Sequence, residues 1–272
     1  MMNMKNILIA SACAISAIAA PIQKRIDPNP NLAVDLPLYS WPTDGAWDGV
    51  YSTLSSFPNT QFNIIVNPDS GPGTYPPNSD YIIGVAKLNS YSNAHVYGYV
   101  RTGFTDRPVS DVQADVETYK QWNSHQGADI HLDGIFVDEA PDNLQHLEYM
   151  QNVHAAITNA LPASAKIWTN PGCIVDASFY DYADRITAFE SDFDAWMNPD
   201  RETIPWDLHS KTSVMIIDYS GQADGPAAQA QILVERGFQS GFLYGTEGYQ
   251  DFSSTWQQFA QALGGDEKNG TY

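Results

Sequence analysis

Two adjacent carboxylates, Asp138 and Glu139, stand at the end of a short apolar run in the middle of this 272-residue chain. The run, Leu132 to Val137, predicts a buried strand. Because ionised groups are costly to bury, the two acids should lie where the strand reaches water. A third acid, Glu190, ends another apolar run, Ile186 to Phe189.

Acids placed in this way can cleave a glycosidic bond, in which one carboxyl donates a proton to the leaving oxygen and the other stays ionised. Two carboxylates a few ångströms apart repel each other, which favours protonation of one of them. That difference in protonation is what the reaction needs. The sequence predicts that Glu190 is paired with either Asp138 or Glu139 and that the remaining acid orients its neighbour. Strand alternation points Asp138 and Glu139 to opposite sides, and the choice between them stays open. In the competing interpretation, the two neighbours only end the strand, and Glu190 is a helix cap or a surface acid.

The elements that must position these acids alternate along the chain. Eight strand-like apolar runs end near Tyr39, Asn67, Arg101, Glu139, Asn170, Glu190, Asp218 and Tyr244. Between these runs, apolar residues recur at helical spacing, most clearly over Val109 to Trp122 and Asn143 to Leu161. Shorter helical segments are predicted over Asp176 to Tyr182 and Asp192 to Met197. Eight such units predict one α/β domain, a (β/α)8 TIM-type barrel over residues 26–272.

The other α/β architecture, a doubly wound sheet, would usually carry a glycine-rich phosphate loop after its first strand, and the chain has none. In a barrel the functional side chains gather at the carboxyl ends of the strands. Besides the three acids, we therefore expect substrate contacts from the polar residues at those ends, Tyr39, Asn67, Tyr99, Arg101, Asn170, Asp218 and Tyr244.

The first 20 residues have the features of a secretory signal peptide: an early lysine, an apolar core and small residues at the cleavage position. Lys24-Arg25 follows and is either a dibasic processing site, which would start the mature chain at Ile26, or a solvated basic pair. Removal of the signal leaves Cys173 as the single cysteine, which we interpret as structural. Asn269-Gly270-Thr271 is an N-glycosylation sequon near the C-terminus.

The chain carries 32 acidic and 13 basic residues, a formal net charge of −19. Such a surface repels nucleic acid and anionic lipid and attracts polycations, although it also serves as a solubility device. Neither a serine-hydrolase elbow nor a zinc-protease motif occurs, and the six histidines are scattered. We therefore expect no cofactor and no metal; the alternative, a divalent ion bound by the carboxylates of Asp138 and Glu139, has no supporting motif, because calcium loops need more oxygen donors at closer spacing.

Several of these runs, taken in order, resemble the spherulin 4 family. They are Tyr39-Ser40-Trp41-Pro42, Ile65-Val66-Asn67-Pro68 with Gly71-Pro72-Gly73, Gly98-Tyr99-Val100, Gly134 to Pro141, Asn170-Pro171-Gly172 and Phe189-Glu190. The resemblance implies a (β/α)8 glycoside hydrolase, endo-acting on galactosaminogalactan, a partly deacetylated polymer of galactose and N-acetylgalactosamine. It also carries the family's acidic trio onto Asp138, Glu139 and Glu190.

With this resemblance, the acidic surface would suit a glycan that bears free amines. We expect a monomer that is secreted and is either extracellular or loosely associated with the cell wall. The alternative is a non-catalytic secreted or cell-surface protein whose carboxylates hold amino sugars without cleaving them. Retaining, inverting and substrate-assisted mechanisms all stay open from the sequence.

Overall fold

Eight parallel strands close into a barrel in the computed structural model, which describes residues 29–43, 45–200, 202–221, 225–245 and 254–264. The predicted signal peptide, the Lys24-Arg25 pair and the sequon at Asn269 lie outside the described residues. The strands are β1 (Ala33–Leu38), β2 (Phe62–Val66), β3 (Ala94–Arg101), β4 (Gly134–Asp138), β5 (Lys166–Thr169), β6 (Arg185–Asp192), β7 (Thr212–Ile217) and β8 (Ser240–Leu243). Each pairs with the next, and β1 pairs with β8.

The helices on the outside of the barrel are α1 (Asp48–Ser56), α2 (Ser79–Asn89), α3 (Val109–Trp122), α4 (Leu147–Ala160), α5 (Phe193–Met197), α6 (Gly225–Glu235) and α7 (Ser254–Gly264). The predicted (β/α)8 fold is thereby confirmed. Two helix predictions were too long. Within the predicted Asp176 to Tyr182 segment, Ala177–Asp181 forms a 3-10 helix, and α4 begins only after a 3-10 turn over Leu144–His146. In both places an Asp or Asn side chain caps the first turn.

Burial on both faces explains why the strands read as continuous apolar runs. Every residue of β1, β2 and β8 is buried. Helix α3 shows the complementary pattern, because its buried residues, Val112, Val116, Tyr119 and Trp122, recur at helical spacing and face the sheet. No helix in the described part of the chain is long and apolar enough to cross a membrane.

A polar cluster lies inside the barrel toward the amino ends of the strands. Asp35 on β1 accepts hydrogen bonds from Asn63 Nδ2 at 2.7 Å and Ser213 Oγ at 2.6 Å, and Arg185 Nη1 approaches it at 3.4 Å. Strands β6 and β7, which carry Arg185 and Ser213, are not neighbours of β1 in the barrel. The Asp35 carboxylate must therefore point into the barrel interior, where it joins opposite walls.

Candidate active site

Backbone strain concentrates at the carboxyl-terminal mouth of the barrel. Among the described residues, the non-glycine positions with positive φ are Ser70, Phe104, Thr105, Glu139 and Asp218. All of them follow directly or within a few residues the ends of β2, β3, β4 or β7. Residues in this region of conformational space cost free energy, and they persist mainly where the surrounding structure imposes them, often at functional sites. The strain thus marks the same end of the barrel as the acids do.

Asp138, the last residue of β4, is a half-buried carboxyl held by two neutral side-chain donors. Tyr99 Oη on β3 donates to Asp138 Oδ2 at 2.7 Å, and Asn170 Nδ2, just after β5, donates to Oδ1 at 2.8 Å. Burial raises the pKa of Asp138, the hydrogen bond from Tyr99 opposes that rise, and the negative charge of Glu190 adds to it. The result is a carboxyl that keeps its proton more readily than an ordinary aspartic acid.

Tyr99 is a dependable donor in this arrangement. Burial, together with the adjacent negative charge of Asp138, raises the pKa of Tyr99. The phenol therefore stays protonated throughout the range in which carboxyl groups titrate. Its ring is fixed from the other side by Tyr39, which meets it edge to face at a centroid distance of 5.6 Å.

Glu190 reaches the same place because β6 is irregular. The register between β6 and β7 shifts between Thr187 and Phe189, which leaves Ala188 as an extra residue. Such bulges re-aim the side chains that follow them. Asn170 Nδ2 also donates to Glu190 Oε2, at 2.5 Å, so one amide group holds Asp138 and Glu190 together. We call these two acids the Asp138–Glu190 pair.

The loop after β5 fixes the orientation of that bridging amide. Asn170 Oδ1 accepts the backbone N–H of Gly172 at 3.0 Å, and the Gly172 carbonyl accepts the N–H of Glu190 at 3.0 Å. The oxygen of the amide is thereby occupied, and its nitrogen must face the carboxylates. Gly172 has a positive φ of 69°, which a residue without Cβ adopts freely.

Glu139 takes a different direction. Its φ of 51° ends the regular strand alternation, and its Oε2 lies 3.7 Å from Arg101 Nη1. The side chain of Asp138 instead accepts hydrogen bonds from Tyr99 and Asn170. In the structure, Asp138 shares a donor with Glu190, while Glu139 lies beside Arg101.

The other predicted contact residues occupy varied positions around the mouth. Asn67 Oδ1 is engaged in its own loop, where it accepts the N–H of Gly71 at 3.0 Å. Asp218 is exposed and has a φ of 52°. Tyr244 is buried, and its hydroxyl has no hydrogen-bond partner among the described residues. Tyr99 and Asn170, predicted to contact substrate, have their polar atoms directed at the acids.

Within the described ranges, no group of three or more His, Cys, Asp or Glu side chains is arranged to hold a metal ion. Cys173 lies in the loop after β5, directly after Gly172, and its Sγ is 3.8 Å from Asp142 Oδ2. Burial and that acid raise the pKa of the thiol. A raised pKa disfavours the reactive thiolate form of Cys173.

Comparison with known proteins adds the family. The family model described as "Spherulation-specific family 4" matches residues 33–263. Spherulin-4 of Physarum polycephalum is 33% identical over 155 residues, which cover 57% of this chain and 43% of that protein, so the match spans less than half of the relative.

Among solved structures, Aspergillus clavatus Sph3 in complex with GalNAc matches with a TM-score of 0.77 and 28% identity, over 87% of this chain and 98% of that one. A chitinase from Bacteroides thetaiotaomicron matches with a TM-score of 0.55 and 10% identity, over 89% of this chain and all of that one (100%). At this identity the second match shows a shared barrel fold only.

Proposed function

This chain belongs to spherulation-specific family 4, and we propose that it is a secreted, endo-acting glycoside hydrolase that cleaves a glycan containing N-acetylgalactosamine and galactosamine. The observation that carries the proposal is the Asp138–Glu190 pair, two carboxyl groups joined by one amide nitrogen at the mouth of a barrel. The features of a signal peptide in the first 20 residues support secretion.

The pair can supply both functions that glycoside cleavage needs. Burial and the charge of Glu190 favour a proton on Asp138, which would be the donor to the leaving oxygen. The carboxylate of Glu190 would stabilise the positive charge that develops at the anomeric carbon. Tyr99 and Asn170 hold the two acids in place, and Glu139 would contact the sugar from the exposed side, beside Arg101.

The geometry also bears on the stereochemical outcome. Since one nitrogen reaches Asp138 Oδ1 at 2.8 Å and Glu190 Oε2 at 2.5 Å, those two oxygens can lie no further apart than the two lengths added together. Such a close approach of two carboxyl oxygens resembles the roughly 5–5.5 Å separation of retaining enzymes more than the roughly 6.5–9.5 Å of inverting enzymes, which hold a water molecule between the two groups. We therefore propose retention of anomeric configuration, with either Glu190 or the substrate's own N-acetyl group as the nucleophile.

Two observations support an amino-sugar substrate. The structurally similar Sph3 was crystallised with GalNAc. The net charge of −19, with exposed Asp218 and partly exposed Glu139 at the mouth, would attract a glycan with free amines. A neutral polymer would gain nothing from this field, so activity should increase with partial deacetylation and fall as salt is added.

Release of oligosaccharides tests the proposal directly. The mature protein, incubated with galactosaminogalactan from acidic to neutral pH, should release products of several sizes, as an endo-acting enzyme does. Glu190→Gln, which keeps the hydrogen-bonding shape, should reduce turnover at least about a hundredfold while polymer binding remains.

Two outcomes contradict this function. Retention of the polymer on a column without any released product would favour the glycan-binding alternative. Undiminished turnover by Glu190→Gln would remove Glu190 from the mechanism, whatever the protein hydrolyses. A thermal unfolding curve like that of the wild type is the control that the variant is folded.

A further inference from the structure

Phe104 stands out among the strained residues at the barrel mouth. It is the one apolar side chain among the five described non-glycine residues with positive φ, at φ 53° and ψ 34°. The left-handed region is least favourable for a bulky side chain, and Thr105, with a φ of 88°, extends the strained segment. A glycine would occupy this position without cost.

The segment is also held rigidly against the catalytic strand end. The Phe104 N–H donates to the carbonyl of Glu139 at 2.7 Å, and Thr102 Oγ1 donates to the same carbonyl at 2.6 Å. The Thr102 N–H donates to the carbonyl of Asp138 at 2.9 Å. On the far side, Arg107 Nη1 closes the loop by donating to the Arg101 carbonyl and to Asp115, both at 2.8 Å. The segment that carries Phe104 is therefore positioned by the backbone carbonyls of Asp138 and Glu139.

This anchored aromatic ring is not used for folding. Phe104 is 60% exposed, whereas the large side chains of the core are almost completely buried. Phe104 thus combines an unfavourable φ with an exposed phenyl ring. Each costs free energy, and packing of the free protein explains neither. A ligand that packs on the ring would account for both costs, because it would cover the apolar surface that the strained backbone holds at the mouth.

We propose that Phe104 is a stacking platform for a sugar ring of the polymer, one subsite away from the bond that is cleaved. Galactose-type rings suit it, because their axial hydroxyl leaves several C–H bonds together on the opposite face, and such faces pack on aromatic rings. The platform deepens the proposed function and rests on it. It would give the enzyme a preference for polymer over single sugars.

Binding measurements in the Glu190→Gln background, which should not consume the ligand, test this platform. Phe104→Ala should weaken binding of a long galactosaminogalactan oligosaccharide about five- to tenfold and leave binding of GalNAc itself unchanged. Phe104→Trp should restore most of the loss. Trp206→Ala is the matched control, because Trp206 is a similarly exposed aromatic (51%) that precedes β7 at the other end of the barrel.

Stability provides an independent readout. Phe104→Gly should leave the melting temperature unchanged or raise it, because glycine relieves the strain, and should still lose oligosaccharide binding. A lower melting temperature together with unchanged binding would show a structural role and overturn the platform. Equal weakening for oligosaccharide and GalNAc would also overturn it.

The outcomes separate this inference from the proposed function. If the wild type binds the polymer through Phe104 and releases no product, the hydrolase proposal fails and the platform stands. If it releases product and Phe104→Ala leaves oligosaccharide affinity unchanged, the platform fails alone. A wild type that neither binds nor cleaves the polymer overturns both.

Discussion

The barrel holds two carboxyl clusters, one toward each end, and they are built on opposite principles. At the amino-terminal end Asp35 is fully buried, close to the guanidinium of Arg185 and hydrogen-bonded to Asn63 and Ser213. At the mouth Asp138 is half-buried, hydrogen-bonded by the neutral groups of Tyr99 and Asn170 and adjacent to a second acid. One cluster contains a cation and the other an additional anion.

Burial raises the pKa of both aspartates, and their neighbours then act in opposite senses. Arg185 is the largest influence that lowers the pKa of Asp35, whereas the charge of Glu190 raises that of Asp138 further. A buried carboxylate paired with a cation is a fixed structural contact. A carboxyl beside another acid, with only neutral donors, can take up and release a proton as its surroundings change. In the proposed mechanism, the same residue type thus serves folding at one end and chemistry at the other.

The largest expected effect is on turnover at the mouth. Asp138→Asn removes the titrating group but keeps a side chain of the same shape that can still bond to Tyr99 and Asn170. We expect product release from galactosaminogalactan to fall about 10²–10⁴-fold, the usual contribution of a general acid. Unfolding by urea should show little change, because the repulsion from Glu190 is removed at the same time.

This variant can contradict the proposed roles. If Asp138→Asn retains activity and Glu139→Gln does not, the proton donor is Glu139, the partly exposed acid beside Arg101. The two neighbours would then exchange roles, and the amide bridge at Asn170 would serve to orient the substrate.

The next effect is on stability at the other end of the barrel. Asp35→Ala leaves the buried Arg185 without its anion and two buried donors, Asn63 and Ser213, without their acceptor. Breaking a buried ion pair from one side typically costs about 3–5 kcal/mol, so the free energy of unfolding should fall by that amount. Chemical denaturation monitored by tryptophan fluorescence measures it.

Asp138→Ala is the matched control for this comparison. It makes the same change at the mouth, where no buried cation is left unpaired, and should cost less than half as much stability. Equal losses at the two ends would show that the clusters do not differ in the way their charges indicate.

The sequence predicted the mouth far better than it predicted the amino-terminal cluster. Each strand at the mouth is an apolar run that stops at a polar residue, a local signal that identified Asp138, Glu139, Glu190 and Asn170. Asp35 lies inside an apolar run, and its partner Arg185 is 150 residues away. A contact through the interior of a closed barrel has no periodicity from which to predict it.

At the mouth, the features that could not be predicted from the sequence are local irregularities of the backbone. Alternation could not decide between Asp138 and Glu139, because the left-handed conformation of Glu139 interrupts it. The bulge at Ala188 that re-aims Glu190 leaves no trace in composition. Phe104 was not predicted either, although an aromatic residue directly after a glycine in a strand-end loop is a usable signal. Such features depend on the hydrogen bonds that impose them, which become visible only with the fold.

The smallest expected effect concerns the hydrogen bond that tunes Asp138. Tyr99 Oη donates to Asp138 Oδ2 and so favours the ionised form, which lowers the pKa of Asp138 against the effect of burial. Tyr99→Phe should therefore raise that pKa further. If Asp138 donates the proton, activity is lost as pH rises through its pKa, so the alkaline limb of the pH profile should move to higher pH. The maximal rate should change by no more than about tenfold.

Tyr180→Phe is the control for this variant, because it also removes a buried tyrosine hydroxyl, one that lies 3.0 Å from Thr212 Oγ1 at the start of β7. It should lower stability without moving the pH profile. A Tyr99→Phe profile that moves to lower pH, or that keeps its alkaline limb while the acidic limb moves, would mean that the group titrating on the alkaline side is not Asp138. The proton donor would then have to be sought at Glu139, whose nearest basic group is Arg101, at 3.7 Å.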